Sequence, residues 1–289
     1  MFDVITEPLE FAFMQRAFLA ACLAGLACAV VGIFVVLKGM AFMGDAVAHS
    51  SLAGMSVAYF VGGSVFWGAL AWAVPASLAI TFISRRVNLR LDASIGIIFA
   101  GGFAIGIILM SQVDNYTADL FSLLFGNVLG VSWYDVILIS VIAGVVLLVV
   151  SILYKELLFT SYDATMSAAS GIPVRLIQYL LPVLVGVTTV VSLKAVGIVL
   201  VLALLVTPAA TSMLLARRLP GMIGCSVAVA MVSVIAGLYL SFHVGLPSGP
   251  SIVLVATGFF LLALLFSPRK GMLWHKWRRP LATKYDTDT

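Results

Sequence analysis

Residues 17–37 read AFLAACLAGLACAVVGIFVVL, 21 positions from Ala17 to Leu37 without one charged side chain. A helix of about 20 apolar residues matches the thickness of a bilayer's hydrocarbon core. Inside that core every backbone N–H and C=O needs a partner from its own segment, so the run is read as a membrane-spanning helix. Eight further runs follow, near 46–62, 66–84, 94–110, 133–153, 176–193, 196–216, 222–242 and 250–267. The expected fold is all-α, a polytopic transmembrane helical bundle of about eight or nine spans. Residues 1–271 form one membrane domain in this reading, and 272–289 a basic cytoplasmic tail.

Composition leads to the same class. The chain is 63% hydrophobic and 10% charged, where soluble domains carry about a quarter charged residues. A soluble fold could not cover that much apolar surface. The net charge of +4 sits mostly in loops and sets orientation instead of marking a nucleic-acid partner. With the N-terminus outside and nine crossings, the inner side holds Lys38, Arg85, Arg86, Arg90, Lys155, Arg175, Arg217, Arg218 and the tail residues Arg269, Lys270, Lys276, Arg278, Arg279 and Lys284. The outer side holds Arg16 and Lys194, a ratio of 14 to 2. Asp114 and Asp119 also fall outside. Cys22, Cys28 and Cys225 lie in apolar stretches without a C-x-x-C pair, so they read as small apolar fillers and not as a metal or disulfide framework. Asp3, Glu7 and Glu10 replace the basic start of a secretory leader, so no cleavable signal peptide is expected.

Ionisable residues inside membrane spans are costly and mark function. Asp45 and His49 stand four apart in Gly44-Asp45-Ala46-Val47-Ala48-His49-Ser50-Ser51, which places both on one helix face about one turn apart. Carboxylate and imidazole suit a borderline divalent ion such as manganese, zinc or iron and do not favour copper(I). Two side chains cannot fill a coordination sphere, and a two-fold dimer would double the set. Spacing alone leaves two other readings open: Asp45 pairs with His49, or it caps the helix start.

The remaining candidates are weaker. His243 reads as a loop histidine or an entry ligand, His275 as an interfacial residue of the tail, and Asp92 as a helix N-cap or a contact to a cytoplasmic partner. The stretch from Ser161 to Pro173 is rich in small residues and ends in Gly171-Ile172-Pro173, a helix stop. It reads either as a short cytoplasmic helix that docks a soluble subunit or as a plain connector. Pro208 removes a backbone donor within a span, and Thr207 or Thr211 is expected to satisfy the freed carbonyl. The sequence contains no G-x-x-x-x-G-K-[ST], H-E-x-x-H or G-x-S-x-G, so the chain reads as no enzyme and not itself an ATP-driven motor.

These landmarks together resemble the permease subunits of bacterial ABC importers for divalent metals. The resemblance covers roughly 12–268. It rests on Met14-Gln15-Arg16-Ala17, on the run from Gly32 through Lys38-Gly39-Met40 to Asp45 and His49, on Asp92-Ala93-Ser94-Ile95-Gly96-Ile97, on Val196 to Thr211 with its Thr207-Pro208-Ala209-Ala210, and on Pro247-Ser248-Gly249-Pro250. It implies a multi-pass protein of the bacterial cytoplasmic membrane that imports manganese, zinc or iron. Two copies would pair with two cytoplasmic ATP-binding subunits, and an extracytoplasmic metal-binding protein would deliver the ion. Asp45 and His49 would bind the metal in transit. The segment Asp163–Gly171, containing Ala168, is similar to the coupling helix that meets the ATPase. No cofactor would reside in the chain, and ATP would act only through the partner. The residues after His49, Ser50-Ser51-Leu52-Ala53-Gly54, depart from the pattern of many relatives and leave the choice of metal open. A self-contained secondary transporter or cation channel using the same pair is the competing reading. Such carriers usually hold several intramembrane charges, and this chain has almost none.

Overall fold

The computed structural model describes residues 8, 10–112 and 130–267. Asp114, Asp119, His275 and the tail 272–289 lie outside them. The described residues form eleven helices: α1 (Ala12–Leu37), α2 (Met43–Phe60), α3 (Val65–Arg86), α4 (Leu91–Met110), α5 (Trp133–Ile152), α6 (Tyr154–Tyr162), α7 (Ala164–Ala169), α8 (Val174–Val196), α9 (Ile198–Leu215), α10 (Leu219–Val244) and α11 (Ser248–Phe266).

Eight of them are long and apolar enough to cross a membrane: α1, α3, α4, α5 and α8 to α11. The ninth expected span is α2. It has 18 residues, but Asp45, His49 and the serines Ser50, Ser51 and Ser56 lower its hydropathy. Its apolar cover comes from the protein, because α3 and α4 pack along it. A polar helix can lie at membrane depth when neighbouring helices shield it.

Helices α1 and α8 are the most enclosed, each with 67% of its most apolar window buried, against 28% for α4, α5 and α11. The buried face of α1 is short: Ala17, Ala20, Ala21, Ala24 and Cys28 are all 0–1% exposed. Small residues let helix backbones approach closely where water provides no driving force between helices. Gly32 is the limit, since a Cβ there would lie 1.9 Å from the Leu205 carbonyl oxygen of α9.

The turn between α1 and α2 is well defined. Gly39 adopts φ +67°, its N–H bonds Val36 O at 3.2 Å, and the Met40 N–H bonds Val35 O at 2.9 Å. That crossed pair closes a helix end around a left-handed glycine. The first two apolar segments are therefore two separate helices, and α2 begins three residues before the apolar run at 46 suggests.

Contacts at the two ends of the bundle agree with the charge-based orientation. Lys38 and Arg85, both assigned inside, line one cavity together with Thr160 and Gln178. Lys194 and Asp135, both placed outside by the nine-span count, form an ion pair at 2.5 Å. The Lys194 ammonium also lies over the rings of Phe66 and Tyr134, at 5.2 and 5.8 Å. Asp135 additionally accepts from the Ser132 hydroxyl at 2.7 Å and from its N–H at 3.1 Å. The outer ends of α3, α5 and α8 are thereby tied together.

Candidate functional site

Asp45 and His49 lie in the first two turns of α2, near the inner end of the bundle. The helix is capped at Phe42 without a side-chain hydrogen bond, so Asp45 is not the N-cap. Its Oδ1 instead faces His49 Nε2 at 3.4 Å, with the histidine and aspartate side chains 20% and 30% exposed. A carboxylate oxygen and an imidazole nitrogen are both of the kinds that can bind a divalent ion.

Helix α4 completes the surroundings. The rings of Phe99 and Phe103 stand nearly perpendicular to the His49 imidazole, at 88° and 84°, with centroids 5.3 and 5.6 Å away. The two phenyl rings are stacked on each other at 6.0 Å. Beside Asp45, a cavity of about 250 Å³ lies between Asp45 and Ala46 of α2, with the cap residue Phe42, and Asp92, Gly96 and Phe99 of α4. Asp92 is the second residue of α4, whose cap position is Arg90 with no side-chain bond. The expected capping role therefore fails, and Asp92 lines the same cavity as Asp45.

Close backbone contact fixes this geometry. A Cβ on Gly102 would lie 2.6 Å from Ser50 Cβ, and one on Gly106 would lie 2.7 Å from Leu52 Cγ. On the other side, Gly54 and Gly68 bring α2 and α3 equally close, each Cβ falling within 2.4 Å of the other's carbonyl oxygen. Ser56 adds a bond from α2 to the Gly106 carbonyl at 3.1 Å. Among the described residues no group of three or more His, Cys, Asp and Glu side chains could hold a metal ion. Among the described residues Asp45 and His49 stand as a pair without a third such group.

His243 is exposed at the far end of α10, and its Nδ1 lies 2.9 Å from Tyr239 O of its own helix. It does not approach Asp45. Thr211 donates to Thr207 O at 2.7 Å, not to the carbonyl of Leu204 that Pro208 leaves without its usual donor.

The inner loop turns at Asp163, whose extended backbone ends α6 and whose Oδ1 accepts from Thr165 N at 2.8 Å and Met166 N at 3.0 Å. Within the expected 161–173 the helix proper is α7, which carries Ala168 on its exposed side. Gly171, at φ +81°, closes α7 with the same crossed bonds as Gly39, to Ala168 O and from Ile172 N to Ser167 O, both 3.1 Å. Tyr162 and Met166, 64% and 67% exposed, give this corner an apolar outer surface.

Known proteins share this architecture and sequence. The chain is 44% identical over 272 residues to the manganese transport system membrane protein MntC of Halalkalibacterium halodurans, covering 94% of this chain and 93% of that protein. It is 34% identical over 267 residues to the chelated iron transport system membrane protein YfeD of Yersinia pestis, covering 92% and 90%. The structure of PsaBC from Streptococcus pneumoniae in complex with Fab superposes with a TM-score of 0.84 and 35% identity, over 95% of this chain and 99% of that one. The family model of the ABC 3 transport family matches residues 10–267, and the chain belongs to that family.

Proposed function

We propose that this chain is the membrane-spanning permease of an ATP-driven importer that carries divalent metal ions, manganese first among them, into the bacterial cytoplasm. The observation that carries the proposal is the Asp45–His49 pair. It joins a carboxylate and an imidazole on the one long helix of the described residues that is too polar to count as a span by itself, and its Asp45 lines a cavity shared with Asp92. Manganese and iron both accept carboxylate and imidazole donors, and relatives named for each metal support that range. Zinc fits the same donors.

The ion is cargo and not a resident cofactor. Two copies of the chain place two such pairs around one ion at their two-fold axis. An extracytoplasmic metal-binding protein delivers it. Two cytoplasmic ATP-binding subunits supply the energy, since the sequence has no P-loop of its own. The corner at Asp163, with Ala168 and Gly171, is the element that meets them. Binding at the pair is transient, because conduction requires a site weak enough to release the ion. The permease makes and breaks no covalent bond.

The test is metal accumulation in cells that express the chain with its ATP-binding partner, for manganese, iron and zinc. Asp45→Asn and His49→Ala are expected to lose uptake of the transported ion while the assembled complex still purifies. Undiminished uptake of all three metals in both variants would remove the pair from the pathway.

A further inference from the structure

A second cavity, of about 240 Å³, opens at the inner end of the bundle, away from the Asp45–His49 pair. Its polar lining is Lys38 of the α1–α2 turn, Thr81, Ser84 and Arg85 of α3, Thr160 of α6 and Gln178 of α8. No carboxylate lines it among the described residues. Among the described residues neither Lys38 nor Arg85 forms an ion pair, and Glu156, one turn before Thr160, pairs with neither.

The hydroxyls are already committed. Thr81 donates to Ser77 O at 3.0 Å, Ser84 to Leu89 O at 3.0 Å and Thr160 to Glu156 O at 2.7 Å. The groups left to hold a ligand are the Lys38 ammonium, the Arg85 guanidinium and the N–H donors of the Gln178 amide, all in the cavity lining. Arg85 is steadied by the Tyr179 ring, 5.8 Å from its Cζ. Burial, and then the positive charge of Arg85, hold the Lys38 ammonium below the ordinary lysine range. Two like charges at the edge of a low-dielectric slab repel each other and lose hydration. An anion placed between them offsets both costs.

The depth of the cavity narrows the choice of anion. Lys38 directly follows α1, Arg85 lies in the last turn of α3, and Leu91, also in the lining, opens α4. Three ends of apolar helices meet here, so the cavity lies at the level of lipid headgroups and not of acyl chains. A phosphate offers several oxygens to a lysine point charge and an arginine fork together. Basic pockets between membrane helices on the cytoplasmic side recognise phospholipid headgroups on these grounds.

We propose that the Lys38–Arg85–Gln178 cavity is a phosphate-binding site that takes the headgroup of an anionic phospholipid from the inner leaflet. The bound headgroup joins α3 to α6 and α8, the helices on either side of the Asp163 corner. The site does not depend on which ion the Asp45–His49 pair carries.

The experiment is native mass spectrometry of the complete transporter, purified from bacterial membranes and delipidated stepwise. It compares wild type, Lys38→Gln, Arg85→Gln and Arg217→Gln, the last removing an inner-face charge outside this cavity. Wild type and Arg217→Gln are expected to keep a phospholipid, with retention about fivefold lower in each of the other two. Equal retention in all four overturns the proposal. A second arm adds inorganic phosphate to the delipidated wild type and to Lys38→Gln. Thermal stabilisation of wild type alone, without any retained lipid in the first arm, keeps the phosphate site and overturns the lipid as its source. If Lys38→Gln does not accumulate, Lys38→Arg, which preserves the charge, is expected to retain the lipid while Arg85→Gln loses it.

Discussion

His49 is held from two sides, by one carboxylate and by two rings. Asp45 approaches its Nε2 at 3.4 Å, while Phe99 and Phe103 enclose the imidazole almost at right angles. A perpendicular aromatic pair contributes about 0.5–1.5 kcal/mol beyond its buried area. Removing one ring therefore loosens the imidazole without deleting it. Phe99→Leu is expected to raise the manganese concentration for half-maximal uptake roughly two- to tenfold, with Phe99→Tyr close to wild type. Unchanged concentration dependence in both Phe99→Leu and Phe103→Leu would show that the rings do not position His49. The pair itself was legible in the sequence, because four-residue spacing is a property of any helix. The rings were not. Phe99 and Phe103 share the same spacing, but nothing local says which helix they oppose. Asp92 misled for a related reason: an acidic residue at a helix start looks like a cap whether or not the cap position falls one or two residues earlier.

At the scale of elements, the setting of the Asp45–His49 pair depends on how closely α4 lies against α2. Gly102 and Gly106 leave no room for a side chain at that contact. Gly102→Ala would set a methyl 2.6 Å from Ser50 Cβ and 3.1 Å from its Cα, and backbone cannot yield as a flexible side chain does. The expected cost is about 1–3 kcal/mol, read as a lower melting temperature of the purified complex, together with reduced uptake as Phe99 withdraws from His49. Gly96→Ala, on the same helix with nothing within 4 Å of the added carbon, should leave the melting temperature unchanged. Equal melting temperatures for the two variants would mean the contact is looser than the structure has it. Eight of the spans could be read directly, since lipid-facing helices must be continuously apolar. The start of α2 could not be read as precisely, because Gly44 and Asp45 interrupt its hydropathy while the protein around them supplies the cover that lipid would supply elsewhere. The inner loop was legible as a segment from Asp163 to Gly171, and the sharp turn of the chain at Asp163 was not. The turn depends on an extended backbone there, which small-residue composition does not announce.

The whole molecule raises the question of how many chains one ion needs. Among the described residues a chain offers two converging donors and no group of three, yet manganese and iron coordinate more donors than two. Water can fill the remaining positions on a single chain, or a second chain can supply them. The two arrangements differ in a mixed complex that pairs one wild-type chain with one Asp45→Asn, His49→Ala chain. If each chain conducts on its own pair, such complexes retain about half of the wild-type uptake per complex. If the ion is shared at the two-fold axis, losing two of four protein donors breaks the only site, and uptake falls nearly to that of the doubly substituted complex. Covalently linking the two chains in tandem fixes the stoichiometry, so that uptake can be normalised to complexes counted by their bound ATP-binding subunits. Uptake near half would assign a separate pathway to each chain and remove the shared ion from the mechanism. Uptake near background would make the pair on α2 one half of a single gate, and would explain why a helix this polar is placed where its own chain shields it on the sides of α3 and α4 but leaves the Asp45 carboxylate partly open.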